Sequence, residues 1–538
     1  MKRWNGWGYS QIDMPLKPES LKYIAEQLGD GRPTPDVPLS EVTRSLPRPR
    51  IKPHILVKVD PADRVAHSAG QSLPDWITKR AGRFSTVVDG VAYPASSADV
   101  RELIHYARTT GTRLIPFGGG TSVVGHLTPP AGDAPVIAVD MGHMADTTQF
   151  DEKNQLVTFQ AGIYGPDIEA KLRARGLTLG HYPQSFEFST LGGWIATRSS
   201  GQQSRYFGRI EQMFAGGTVE TPTGTLTIKP YPASAAGPDL REMVLGSEGR
   251  LGIITEAVMR VAALPELETF EGIIFPTFEQ GVDALREAAQ ANLPLSMLRL
   301  SNAAETATNL ALSGSSMVNL LERYTALRGA HEQKAMLIYG VTGTKRVARA
   351  ARSDLLDIVK AHGGVYIGAA LGKSWRKNRF LTAYLRNSLW DAGYAVDTVE
   401  TAVKWSRAIK TMNAVEDGIR AASQEENEPV HTFTHLSHVY ATGTSVYTTF
   451  VFRLGATPEE TYRHWLRMKT AASEAILNNG GTISHQHGVG IDHAPYLERE
   501  KGREGIRAIE SLLETFDPGN LMNPGKLVTT REETPHVG

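Results

Sequence analysis

The sequence predicts an α+β protein of two domains, a mixed domain closing near Ala263 and a second one built on an antiparallel sheet with helices on one face. Three observations lead there. The 538 residues, 41% hydrophobic and 21% charged, exceed what one core usually organises. Between Ser96 and Ala263 short strands and helices follow one another without long apolar runs. Residues 264 to 480 repeat a strand-helix-strand rhythm.

Residues 1 to 80 mix short helical patterns with stretches such as Pro33-Thr34-Pro35 and Pro47-Arg48-Pro49-Arg50, so they read as an arm laid over something larger. The mixed domain, 81 to 263, opens with Ser96 and Asp99 as a helix cap. Val100, Leu103, Ile104 and Ala107 then mark one helix face, and Gly111 stops the helix. Strands are expected at Arg113 to Phe117, Val136 to Asp140 and Leu156 to Ala161. A helix after Pro166 should bury Ile168, Ala170, Leu172 and Ala174. In the second domain, strands are expected at Gly272 to Phe275, Ser296 to Leu300, Met336 to Val341 and Ser445 to Phe452. Helices should cover Phe278 to Ala291, Arg346 to Ala361 and the stretch from Pro458 to about Asn479. Residues 481 to 538 are expected to return to the first domain.

Lys and Arg together number 57, as do Asp and Glu, so no net field draws the chain toward nucleic acid. Lys345 to Arg352 is a basic stretch that reads as a solvated helix face, with peripheral membrane contact as the alternative. There is no cysteine, which removes disulfides, thiolate metal ligands, a cysteine nucleophile and a flavin attached through sulfur. Met1 to Tyr9 lacks the apolar core of a signal peptide, and no run reaches the ~18 apolar residues of a membrane span. Thr534 to Gly538 is not a peroxisomal address of the Ser-Lys-Leu kind. A cytoplasmic protein, soluble or peripheral to a membrane, is expected.

Pro116-Phe117-Gly118-Gly119-Gly120-Thr121-Ser122 puts three glycines after a strand. The backbone can turn tightly there and aim N–H groups at a pyrophosphate, with Thr121 and Ser122 adding hydroxyls; an ordinary glycine turn is the other reading. Competing nucleotide motifs fail on spacing. No Gly-x-Gly-x-x-Gly opens a helix, Gly368 to Ser374 is one residue short of a Walker loop, and His-Glu-x-x-His is absent.

The glycine loop is followed by Gln184-Ser185-Phe186-Glu187-Phe188-Ser189-Thr190 running into Leu191 to Trp194, then by Thr197-Arg198-Ser199-Ser200. A fourth block, Gly246 to Glu256, contains Glu248-Gly249-Arg250-Leu251-Gly252-Ile253-Ile254. In order and spacing these four blocks resemble the FAD-contacting segments of the vanillyl-alcohol-oxidase (PCMH-type) flavoprotein superfamily. The resemblance implies a fold of an FAD-binding α+β domain plus an antiparallel-sheet cap domain, with FAD held noncovalently.

Within that superfamily, Trp4-Asn5-Gly6-Trp7-Gly8-Tyr9 resembles an N-terminal segment of the alkyldihydroxyacetonephosphate synthase family, and the likeness runs to about Leu527. Arg299 matches a family arginine tied to activity, Arg386 its substrate-binding arginine and Tyr447 its catalytic tyrosine. Ser484-His485-Gln486-His487-Gly488 occupies the place of its histidine cluster, with Gln486 inside a run that is three histidines long in the family. The implied reaction exchanges the acyl group of acyl-dihydroxyacetone phosphate for a long-chain alcohol, with the flavin as a covalent handle at N5. Tyr447 would exchange a proton at C1, His485 and His487 would assist proton transfer and hold the charged intermediate, Arg386 would clamp the phosphate, and Arg299 would support substrate or flavin electrostatics.

The partner implied is a lipid substrate, and a homodimer stays open. Phe516 to Lys526 also resembles FAD-dependent dehydrogenases or oxidases of 2-hydroxy acids and polyol phosphates such as glycerol 3-phosphate. Their metal-dependent members carry two histidines and a glutamate where this chain has His435, Tyr447 and Gln486, so no metal is expected. A non-catalytic FAD-binding protein is the third reading.

Overall fold

The structure is a computed structural model that describes residues 1–313 and 323–528; Thr534 to Gly538 lie outside the described residues. The first sheet has strand order Val57–Lys58, Gly90–Ala92, Val136–Asp140, Arg113–Phe117, and the last three run parallel. The helix Ser97–Thr110 packs on it through Val100, Leu103, Ile104 and Ala107. Ser96 Oγ accepts from the Asp99 amide at its start, and Gly111 ends it at φ 72°.

A five-stranded antiparallel sheet follows, ordered Thr147–Asp151, Leu156–Gln160, Ile253–Arg260, Phe214–Thr221, Gly224–Ile228. The helix Gly165–Arg173 forms as expected, but its buried face is only partly the expected one. Ile168 and Leu172 are buried, whereas Ala170 and Ala174 are exposed. Glu169 takes the inner position because its carboxylate is satisfied there, accepting from the Thr178 hydroxyl and the amides of Leu179 and Gly180.

The largest sheet has seven strands, every neighbouring pair antiparallel, in the order Val365–Gly368, Leu267–Phe275, Ala335–Gly343, Leu295–Ser301, Val430–Leu436, Gly443–Arg453, Tyr394–Lys404. Its two faces differ in kind. Leu298, Leu300, Leu337, Tyr339 and Val446 pack under the helices Phe278–Gln290 and Lys345–Ala361. Phe450 and Phe452 pack against Trp465 and Met468 of the helix Pro458–Asn478. The opposite face, with Met297, Ile338, Phe433, Thr449 and Val451, lines a cavity. Lys345, Arg346 and Arg349 project into solvent, while Ala348, Ala351 and Leu355 of the same helix face the sheet.

The strand Tyr394–Lys404 and the helix Ala408–Gln424 have no counterpart in the sequence reading. In the strand the reason is chemical. Asp397 and Glu400 break its apolar pattern, yet both are buried, Asp397 accepting from Trp465 Nε1 at 2.6 Å and lying 3.4 Å from Lys469 Nζ.

The arm reaches across the molecule. Trp7 exchanges two hydrogen bonds with Asn387, its amide donating to Oδ1 and its carbonyl accepting from Nδ2, each at 3.0 Å. The Tyr9 amide donates to the Tyr384 hydroxyl at 3.2 Å. Trp76 is fully buried against Trp390, and Arg80 bridges Asp36 and Asp391 at 2.8 Å each. Further along, Leu521 and Asn523 hydrogen-bond on either side of Leu114, so the C-terminal stretch extends the first sheet. Among the described residues no helix is long and apolar enough to cross a membrane.

Gly8 explains the glycine spacing of the Trp4 to Tyr9 segment. Its φ is 75°, and a Cβ there would fall 2.3 Å from the Tyr384 ring. Gly8→Ala is expected to destabilise the docked arm by about 1–3 kcal/mol, the usual cost of a strained backbone residue. Thermal denaturation followed by near-UV circular dichroism checks this, and an unchanged midpoint would mean that the arm is not a structural clamp.

Candidate active site

A cavity of about 1030 Å³ lies between the first sheet, the seven-stranded sheet and the arm, at the upper end of the ~300–1,000 Å³ usual for small-molecule sites. Its first wall begins where the strand Arg113–Phe117 runs out into Gly118, Gly119 and Gly120. A Cβ on Gly119 would sit 1.5 Å from the Phe188 carbonyl oxygen, so only bare backbone can lie between Phe188 and the cavity. Pro116, Phe117, Thr121, Ser122, Gln184, Ser185, Ser189, Thr190, Thr197, Ser199 and Ser200 line the same wall, as do Glu248, Gly249, Gly252, Ile253 and Ile254. Bare glycine backbone ringed by hydroxyls is a donor set that fits the phosphates and ring acceptors of a dinucleotide.

Other residues of the four blocks stand behind that wall. Phe186 stacks on Phe380 at 5.1 Å, and Phe188 meets the edges of Trp7 and Tyr9. Arg198 ends the helix Leu191–Thr197 in the left-handed region and pairs with Glu242. Arg250 donates to Asn520 Oδ1 and the Met522 carbonyl, each at 2.8 Å, Leu251 belongs to an apolar cluster with Leu497 and Leu513, and Glu187 is half-buried. Glu248 reaches the cavity but spends its carboxylate on the amides of Val489 and Gly490. His126, which the sequence reading did not single out, ties these parts together: Nδ1 is 2.7 Å from Ser122 Oγ and Nε2 is 3.1 Å from Glu248 Oε1.

The second wall is the sheet. Arg299, on Leu295–Ser301, donates to Glu305 Oε1 at 2.6 Å, and His435 Nδ1 lies 3.0 Å from the same oxygen. Burial pushes the Glu305 carboxyl up, but His435 and Arg299 hold it down at about 2, so it is a fixed anion. The His435 ring stacks on Tyr447 at 4.6 Å with the planes 17° apart. Burial pushes the Tyr447 phenol up to about 12, against the opposing effect of its hydrogen bond with Thr398. At neutral pH this tyrosine is a proton donor. Tyr447 faces the cavity because Val446 and Phe450, its neighbours of opposite parity, are in the core.

His487 also lines the cavity, its ring 6.1 Å from that of Tyr447 and nearly perpendicular to it. Burial draws its pKa down, with Glu400 opposing, so the imidazole is neutral at neutral pH. His485 stands one layer behind, where its Nε2 is 2.7 Å from both Arg209 Nη1 and the Tyr440 hydroxyl.

Arg386 closes the site from the short helix Leu385–Asp391. Its guanidinium lies over the Trp76 ring at 4.4 Å and donates from Nη1 to the Gln71 carbonyl. Nε and Nη2 are shielded from solvent and have no hydrogen-bond partner among the described residues. Burial draws its pKa to about 10, which leaves the charge in place at neutral pH. An uncompensated guanidinium edge in a cavity is a fork for an oxyanion. Beyond it the cavity turns apolar, between Leu16, Ile24 and Leu28 of the arm and Leu389, Phe433 and Val451. No sequence motif marks the arm as part of the wall, because its contacts are made with residues hundreds of positions away.

Comparison with known proteins adds the family. Residues 88–228 match the family model described as FAD binding domain, and residues 264–527 match that of FAD linked oxidases, C-terminal domain. The alkyldihydroxyacetonephosphate synthase of Dictyostelium discoideum is 34% identical over 485 residues, covering 89% of this chain and 79% of that protein. The alkyldihydroxyacetonephosphate synthase of Trypanosoma brucei brucei is 30% identical over 577 residues, covering 99% and 94%. A solved alkyldihydroxyacetonephosphate synthase structure superposes with a TM-score of 0.84 at 29% identity, covering 97% of this chain and 98% of that one. With identity of that order along nearly the whole length of both chains, on a fold shared from end to end, this chain belongs to the alkyldihydroxyacetonephosphate synthase family and takes FAD as its cofactor.

Proposed function

We propose that the chain makes alkyl-dihydroxyacetone phosphate by exchanging the acyl group of acyl-dihydroxyacetone phosphate for a long-chain alcohol. The observation that carries this reading is the content of one cavity: a glycine wall for FAD, the open guanidinium edge of Arg386, the pair Tyr447 and His487, and an apolar end. That content suits a substrate with a phosphate, a reactive carbon and a long chain.

FAD, held along Gly118 to Ser122 and the facing hydroxyls, supplies the electronic chemistry at the reacting carbon. The remaining work belongs to the protein. Arg386 binds the phosphate through Nε and Nη2, which fixes the position of C1. His487, neutral and half-buried at the cavity wall, accepts the C1 proton, and Tyr447, protonated at neutral pH, donates to the leaving oxygen. Arg299, Glu305 and His435 act through the stacked ring pair, holding Tyr447 in one orientation. The apolar end shelters the chain and keeps water from the carbon while the acyl group is away.

A hydroxy-acid dehydrogenase of the metal-dependent kind would need a histidine where Tyr447 stands and a glutamate where Gln486 stands. The deciding experiment incubates the FAD-loaded protein with palmitoyl-dihydroxyacetone phosphate and hexadecanol and looks for the ether product by mass spectrometry. No ether product, together with flavin bleaching by D-lactate or glycerol 3-phosphate, would overturn the synthase reading.

Arg386→Ala is expected to weaken binding of the phosphate-bearing substrate by about 2–5 kcal/mol, as for a buried charge-assisted contact. Its FAD content should stay that of the wild type, and unchanged apparent affinity would remove Arg386 from the phosphate site. Tyr447→Phe keeps the ring and its stack on His435 while deleting the hydroxyl, so turnover should fall by roughly 10²–10⁴-fold. Steady-state kinetics at saturating substrate measures this, and near-wild-type turnover would reduce Tyr447 to a packing residue.

A further inference from the structure

The strand Tyr394–Lys404 sets Glu400 directly across from Tyr447. Its carboxylate is fully buried, a position that is costly unless the charge is paired and hydrogen-bonded. Four side chains converge on it. Gln486 Nε2 donates to Oε2 at 2.7 Å, and His485 Nδ1 lies 3.2 Å from Oε1. His487 Nε2 is 3.9 Å from Oε2, and His438 Nε2 is 4.0 Å from Oε1.

The tautomer of His485 follows from its other nitrogen. Nε2 lies 2.7 Å from Nη1 of Arg209, and a guanidinium only donates, so Nε2 accepts and the ring proton sits on Nδ1, the nitrogen nearer Glu400. Glu400, His438 and His485 also have the compactness of a metal site, their ligand atoms within 4.8 Å of one another. The proton on His485 Nδ1 occupies the lone pair that a metal would require.

We propose that Glu400 is the positioning residue of the histidine cluster: it anchors Gln486 and supplies the counter-charge when His487 takes a proton at the cavity wall. The last part rests on the synthase reading for the origin of that proton. There the C–H bond at C1 breaks, its electron pair stays with the substrate, and the proton goes to a ring nitrogen of His487. The imidazolium so formed faces Glu400 across 3.9 Å.

Gln486 then leaves no gap in the run of histidines. Its amide gives the carboxylate the hydrogen bond that an imidazole N–H would give. The charged and titratable surroundings are consistent with one shared anion. His438, His485 and His487 face Glu400 directly, with Tyr447 and His435 on the neighbouring strands, Asp397 on its own strand, and Tyr440 and Arg209 behind His485, while Lys469 of the helix Pro458–Asn478 and His493 also act on His487. Burial pushes the Glu400 carboxyl up, but His485, His438 and His487 together hold it far below the usual carboxylate range.

The test is Glu400→Gln, nearly isosteric, in the full FAD-loaded chain. Nitrogen-15 NMR of histidine-labelled, substrate-free protein reads ring protonation against pH without any turnover. The expected result is a His487 imidazole that titrates at lower pH in the variant than in the wild type, while His485, held by Arg209, keeps its proton on Nδ1 in both. In turnover, His487 loses the anion that favours its charged form, so its pKa falls. The acid limb of the kcat/KM profile should then move to lower pH by about one unit or more, as loss of an opposite charge at this range predicts.

Gln486→Leu keeps the carboxylate but strips its amide donor, strengthening the field at His487, and should move the limb to higher pH. It serves as the second variant if Glu400→Gln folds poorly. Lowered thermal stability with the pH limb and the titration of His487 unmoved would overturn the proposal, leaving Glu400 merely structural. One zinc ion per wild-type chain, lost in Glu400→Gln, would overturn it in favour of a metal site. A wild type that makes no ether product, beside a variant whose His487 titration does move, would instead sink the synthase reading and leave the hold of Glu400 on the cluster standing.

Discussion

Because side chains alternate faces along a strand, Val446, Phe450 and Phe452 can lie beneath helices only if Tyr447, Thr449 and Val451 point the other way, into the cavity. The strand Leu295–Ser301 obeys the same rule, with Leu298 and Leu300 inward and Met297 and Arg299 toward the cavity. Core and site are thus two faces of one sheet. A slip of one residue in either strand would exchange them wholesale. The packing of Phe450 therefore sets the aim of Tyr447, and the helices that bury one face hold the chemistry on the other.

The short helix Leu385–Asp391 joins a second pair of roles in the same way. Asn387 holds Trp7 of the arm, Asp391 pairs with Arg80, and Arg386 between them turns its open edge to the cavity. Arm and anion site share one support. Trp76 belongs to both, packed on Trp390 on one side and carrying the guanidinium of Arg386 on the other. The apolar end of the cavity, half of it made from the arm, is held in place by the same contacts that hold Arg386.

Local signals in the sequence were enough for much of the fold. Ser96, Gly111 and the glycines after Phe117 each act within a few residues of themselves, and the structure has the cap, the stop and the turn at those positions. The blocks that resemble flavin-binding segments gave their neighbourhood but not their facing. Arg250 and Phe186 stand behind the wall because a motif read along the chain carries no information about which side meets the cavity. Glu169 and Glu400 were hidden for another reason: a buried carboxylate is indistinguishable from a solvated one until its donors, Thr178 in one case and Gln486 in the other, are brought near. The pairing of Arg299 with Glu305 and His435 was likewise out of reach, since His435 arrives from a strand more than a hundred residues later.

The hydrogen bonds between Trp7 and Asn387 span 380 positions of sequence. During synthesis the arm is made well before the helix that receives it, with some 380 residues between the two. Contacts of such separation close late, after the local and sheet contacts that make up most of the fold. The sheets can therefore assemble around an open groove, with the arm, like the C-terminal stretch beside Leu114, laid on afterwards. A bulky flavin has that interval in which to enter before the groove is roofed over.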